Sequence, residues 1–170
     1  MSAVVLDTNV LVFANMQSGD SPDPDCVRNS RERIVQSRNE IVVIDSNGEI
    51  RREYMRQVDV RGHPTFAGEY IIDLLRNIGN PSRFEQGPIT NTNGSYREFP
   101  TDPELESFDR SDRKFVCVAL RSRNSPVIAV SSDRGWRNHH SALQANGIQI
   151  EFACSPGAAR NTKPPKRARS

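Results

Sequence analysis

Three apolar runs in this chain each lead to an acid: Val4-Val5-Leu6 to Asp7, Ile41-Val42-Val43-Ile44 to Asp45, and Val127-Ile128-Ala129-Val130, two serines on, to Asp133. Short runs of β-branched and aliphatic residues without polar alternation read as strands buried on both faces. Stretches of helical periodicity separate them, and that alternation predicts a parallel sheet with helices on both faces. The C-termini of such strands share one edge, which is where open α/β sheets carry their chemistry. Asp7, Asp45 and Asp133 are therefore expected to gather on that edge.

The intervening segments supply the helices. Helical spacing runs from Asn9 to about Met16, where a Ser, Gly, Asp and Pro-rich stretch over 18–25 breaks it. Asp25 is placed to cap a helix over 26–38 that turns Val27, Ile34 and Val35 inward, with Arg28, Arg31, Arg33 and Arg38 on its other faces. Ser46 and Glu49 have capping-box spacing ahead of a helix over 47–58, on which Ile50, Tyr54 and Val58 form one stripe and Glu49 and Glu53 its neighbour. A further amphipathic helix covers 64–78 and stops at Gly79-Asn80-Pro81. Residues 81–102 read as a long connector with a small hairpin over 88–96, a lid or partner surface on one reading and a decorative insertion on the other. Asp109 is expected to cap the next helix, whose Phe115, Val116, Val118, Ala119 and Leu120 are apolar. A helix over 136–144 and a last strand over 148–152 complete the pattern.

With 170 residues the chain holds one domain, taken as 1–154, followed by a tail over 155–170. No apolar run approaches the ~20 residues that span a bilayer, and the N-terminus lacks a signal pattern, so a cytoplasmic protein without membrane contact is expected. Cys26, Cys117 and Cys154 are odd in number and far apart, which suggests free thiols rather than a disulfide framework or a zinc knuckle. The net charge of +2 includes five positive residues after Glu151 and no acid, which leaves −3 on residues 1–159. The tail's Pro, Lys and Arg suit disorder and sequence-independent attraction to a phosphate backbone.

Carboxylates crowded on one edge repel each other unless protons or a metal neutralise them. Hard divalent cations such as Mg²⁺ and Mn²⁺ favour oxygen ligands, retain waters and assist phosphodiester hydrolysis. The chain has no GxxxxGK or GxGxxG loop, no CxxC and no Gly-x-Ser-x-Gly elbow to point elsewhere. His63, His139 and His140 lack metal-ligand spacing. Arg51, Arg52, Arg56, Arg61, Arg134 and Arg137 lie near the acids in sequence and could guide a phosphate backbone, or simply cover exposed helix faces.

Val4-Val5-Leu6-Asp7-Thr8-Asn9-Val10-Leu11, an acid-bearing helix after the second strand, Ser111-Asp112 leading into Phe115-Val116 and Ala119, and Ile128-Ala129-Val130-Ser131-Ser132-Asp133 resemble the four motifs of the PIN-domain nucleases, in their usual order. The resemblance covers roughly residues 3–152. It implies an α/β, single-domain, Rossmann-like three-layer sandwich with a central parallel sheet. It further implies a Mg²⁺- or Mn²⁺-dependent endonuclease acting on nucleic acid, RNA favoured over DNA. A toxin or defence effector, an antitoxin or defence-system protein as partner and a homodimer are family expectations.

On that resemblance Asp7, Glu53, Asp112 and Asp133 are the catalytic, metal-holding acids. Glu53 is favoured over its runner-up Glu49, which capping already explains, and Asp45 is assigned a supporting place. Thr8 and Asn9 would orient Asp7. Two other readings stand beside this one: a PIN-like scaffold or partner-binding module that does not cleave, and a receiver-like or phosphatase-like domain, which lacks a matching lysine after a later strand.

Overall fold

The computed structural model describes residues 1–17, 19, 23–62 and 65–156. Seven strands, seven α-helices and one short 3-10 helix (Pro103–Leu105) follow one another in these segments. The strands and α-helices are β1 (Ala3–Leu6), α1 (Thr8–Ala14), α2 (Pro24–Ser37), β2 (Ile41–Asp45), α3 (Glu49–Gln57), α4 (Phe66–Asn77), β3 (Phe84–Gly87), β4 (Asn91–Thr92), β5 (Ser95–Tyr96), α5 (Arg113–Arg121), β6 (Val127–Val130), α6 (Arg134–Asn138), α7 (His140–Ala145) and β7 (Gln149–Phe152). The main sheet has the order β3-β2-β1-β6-β7, with every neighbouring pair parallel. Helices flank it, giving the α/β three-layer sandwich that the alternation of strands and helices predicts.

The most apolar strand takes the middle of the sheet. Val4, Val5 and Leu6 are completely buried, and their backbone pairs with β2 on one side and β6 on the other. The chain builds outward from β1 through β2 and β3, then returns to the far side of β1 to add β6 and β7. The order therefore reverses between β1 and β6, which opens a crevice at their C-terminal ends. Asp7 follows β1 directly, and Ser131, Ser132 and Asp133 follow β6. α1 packs against α2, α3 and α4, while α5 lies across β1, β2 and β6.

Several local expectations are corrected. The connector over 81–102 contains a strand, β3, that pairs in parallel with β2 from Val42–Phe84 to Asp45–Gly87. β4 and β5 form the small antiparallel hairpin, Asn91 opposite Tyr96 and Thr92 opposite Ser95. Asp23, not Asp25, caps α2 by accepting from the amides of Asp25 and Cys26. Arg33 is buried, held by Glu40 at 2.6 Å and Glu151 at 3.2 Å, whereas Val35 is exposed. The helix over 136–144 divides at His139 into α6 and α7.

Cys26 and Cys154 form a disulfide rather than standing as free thiols, and only Cys117 of the three is unpaired. The bond joins the first turn of α2 to the segment after β7, against Phe13 of α1. No helix among the described residues is long and apolar enough to cross a membrane. The basic tail expected over 155–170 lies, beyond Pro156, outside the described residues, as does His63.

Candidate functional site

Backbone geometry places the first acid. β1 ends at Leu6, and Asp7 keeps an extended conformation, φ −65° and ψ 144°, so that α1 starts at Thr8. The Asp7 carboxylate caps that helix by accepting from the Asn9 amide at 3.2 Å and remains 2% exposed. A carboxylate buried in that position loses its water, which disfavours its charged form. Burial raises its pKa well above the ordinary value, and the negative charges of Asp112, Asp133 and Glu53 raise it further. Asp7 thus sits in the field of all three acids with which the sequence groups it.

Asp133 ends the β6 segment in the same way, capping α6 by accepting from the Gly135 amide at 2.6 Å. Its other oxygen receives a long hydrogen bond, 3.5 Å, from the Asn9 side-chain amide, which spans the crevice between the two strand ends. Asp112 stands at the start of α5. Burial pushes its carboxyl up to about 7, Asp133, Asp109 and Glu53 add to the shift, and Lys114 opposes it. Asp109 does not cap α5 as expected. It accepts instead from the amide and hydroxyl of Ser111, both at 2.8 Å, and so shapes the turn that presents Asp112.

Glu53 and Glu49 turn to different partners. Glu53, one turn further along α3, accepts from the Thr8 hydroxyl at 2.6 Å and pairs with the Lys114 ammonium, which ties it to the start of α1 and to α5. Glu49 accepts instead from the Tyr96 hydroxyl at 2.6 Å and the Asn91 side-chain amide at 3.0 Å, turning toward the β4–β5 hairpin. The capping box of Ser46 and Glu49 is not formed. Gly48 starts the helix in the left-handed region, φ 77°, and Asp45 accepts from the Glu49 and Ile50 amides, each at 2.8 Å. Asp45 is therefore a buried cap for α3 that fixes the rotation at which Glu53 is presented. Tyr54 anchors the same helix by donating to the Leu6 carbonyl at the end of β1.

Lys114 is the residue that sequence reasoning missed. It is 5% exposed, donates to the Ser111 carbonyl, pairs with Glu53 and sets a positive charge in the field of Asp112. A signal was present: Lys114, Cys117, Val118 and Arg121 share one stripe of α5, and its middle is apolar and buried, so the lysine at its head must enter the interior. Other expectations for cations divide. Arg51 is half-buried and Arg52, Arg56, Arg61 and Arg134 are exposed. Arg137 is structural, donating to the Cys154 carbonyl and lying 4.1 Å over the Phe152 ring. His139 is held between Ser107 and the Gly135 carbonyl.

The oxygen donors of Asp7, Asp112 and Asp133 suit a hard divalent ion in type. As placed, no group of three or more His, Cys, Asp or Glu side chains among the described residues is arranged to hold one. Glu53 in particular has both oxygens engaged, one by Thr8 and one by Lys114. The cluster is thus electrostatically a single unit with an internal ammonium on its α5 side. No protein-family model, curated protein or solved structure matches the chain.

Proposed function

We propose that the chain is a metal-dependent endonuclease of PIN-like type that cleaves nucleic-acid phosphodiester bonds, RNA in preference to DNA. The observation that carries the reading is Asp7, buried at the β1/β6 switch point with its pKa raised by burial and by Asp112, Asp133 and Glu53 together. Concentrating uncompensated carboxylates costs stability, and such sites are built where chemistry needs them. Asp7, Asp112 and Asp133 have the donor type for Mg²⁺ or Mn²⁺ and would hold the ion once drawn closer together than they stand; bound there, it would neutralise phosphate charge and lower the pKa of a coordinated water.

The remaining roles belong to the chain itself. The Asn9 amides orient Asp7 and Asp133, and Thr8 and Lys114 fix Glu53. Lys114 offers an ammonium to a phosphate oxygen, and Glu53 becomes a free acceptor only when Lys114 leaves it. The exposed Arg52 and Arg56 on α3 supply sequence-independent attraction for the backbone. A toxin or defence role, restrained by an antitoxin or defence-system protein, and a homodimer rest on the motif resemblance.

One observation favours a second reading, a PIN-like scaffold that no longer cleaves: the Glu53–Lys114 pair already neutralises part of the cluster. The two readings part in one experiment. Labelled RNA and DNA are incubated with Mn²⁺ and the full chain, as wild type, Asp7→Asn and Asp112→Asn. Cleavage by the wild type alone supports the nuclease; equal cleavage by all three, or by none, contradicts it.

A further inference from the structure

Beside the acid cluster a cavity of about 490 Å³ opens between α3, the β4–β5 hairpin and the start of α5. Glu49, Arg52 and Arg56 of α3, Asn91 and Tyr96 of the hairpin, and Lys114 of α5 line it, and Glu53 joins it to the cluster. This volume lies within the range of small-ligand sites, ~300–1,000 Å³. It is too small for a duplex and suits one nucleotide.

The lining has two parts of different chemistry. Arg52, Arg56 and Lys114 are cations, the charge a phosphate seeks. Glu49, on the same face of α3 as Arg52 and Arg56, accepts from both Tyr96 and Asn91 through the same oxygen, Oε2. Asn91 is fixed in turn, its Oδ1 accepting from the Gly94 amide at 2.8 Å. Among the described residues the other oxygen of Glu49, Oε1, has no hydrogen bond. A carboxylate held by two neutral donors and facing cavity space accepts N–H groups and repels carbonyls and phosphates.

We propose that this cavity is a nucleotide subsite, in which the cations take the phosphate and Glu49 reads a base edge of a single-stranded nucleic acid. This deepens the nuclease reading and rests on it for the placing of the scissile bond next to Glu53. The base favoured is guanine, whose N1–H and N2–H are adjacent donors that match a carboxylate. Uracil, with one N–H between two carbonyls, is disfavoured most. The hairpin, bound to α3 through Tyr96 and Asn91, forms the wall that makes the subsite.

The test needs neither metal nor cleavage. The full-length protein in EDTA is titrated with the four 5′-mononucleotides while amide chemical shifts are followed by NMR. Guanosine monophosphate is expected to bind about tenfold more tightly than uridine monophosphate, with shifts at Asn91, Tyr96 and Arg56. Glu49→Gln, which can still accept from Tyr96 and Asn91, should reduce that preference to within twofold at unchanged Tm, and Arg56→Ala should weaken all four nucleotides alike. Equal affinity for the four, a preference that survives Glu49→Gln, or no binding would overturn the subsite. Any of these beside Mn²⁺-dependent cleavage lost in Asp7→Asn would leave the nuclease reading in place; absence of both would remove the two together.

Discussion

Lys114 of α5 and Glu53 of α3 form a buried ion pair at the edge of the acid cluster, their side chains 6% and 15% exposed. At such burial the attraction between the partners is offset by their lost hydration, so the pair adds little net stability, but removing one member strands the other. Lys114→Met should destabilise the protein by about 3 kcal/mol at neutral pH. With the ammonium gone, the acids depend more on an added cation, so Mn²⁺ should raise the Tm of Lys114→Met more than that of the wild type. Thermal unfolding with and without Mn²⁺ checks both effects, and an equal Mn²⁺ increment in the two proteins would count against the counter-ion role.

Asp112 gives the pH dependence. Its folded-state pKa is raised from 3.8 to about 7, so the folded protein binds that proton more tightly than the unfolded chain does. The group is therefore no burden at pH below about 4, and it subtracts stability progressively as pH rises through about 7. Asp112→Asn, which cannot ionise, should gain on the wild type over that window. Paired unfolding curves between pH 4 and 8 measure it, and a constant difference would contradict the assignment.

The disulfide closes a sequence separation of 128 residues. Cross-links over loops of this length stabilise by about 2–5 kcal/mol, chiefly through the unfolded chain. Cys26→Ser or full reduction should therefore lower the Tm by several degrees, and the loss should be the same whether or not Mn²⁺ is present, since the bond lies at α2 and the end of β7. Calorimetry under oxidising and reducing conditions is the check.

Asp45 holds α3 by accepting two amides from inside the sheet. Asp45→Ala leaves those amides unsatisfied and should cost about 2 kcal/mol or more. Because Glu53 lies on the helix so released, the mutant should also lose the Thr8–Glu53 contact, visible as a changed Thr8 amide environment by NMR. A mutant as stable as the wild type, with Thr8 unmoved, would show that the cap does not position the site.

The strand–acid pattern made the sheet legible because central parallel strands are apolar on both faces, and β1, β2 and β6 all have that character. β3 escaped because Phe84-Glu85-Gln86-Gly87 is an edge strand with only its ends buried, and a short polar run of that kind is indistinguishable from loop. Asp7, Glu53, Asp112 and Asp133 were grouped by topology and resemblance, and the structure brings their charges into one field. What sequence could not show was contact across long separations. Cys26 and Cys154 looked independent for that reason, whereas Lys114, one of 23 lysines and arginines, was legible from the apolar stripe it heads on α5 and was passed over.

The acid cluster around Asp7 is proposed to hydrolyse a nucleic-acid backbone. Single-turnover cleavage of an end-labelled, single-stranded RNA by the full chain, in Mn²⁺ and in EDTA, with Asp7→Asn alongside, tests it most directly. Mn²⁺-dependent internal cleavage is expected, falling by at least about a hundredfold in Asp7→Asn, the scale of losing one group that stabilises transition-state charge. Cleavage that persists in EDTA or is unchanged in Asp7→Asn, or a folded wild type with no cleavage at all, would contradict it.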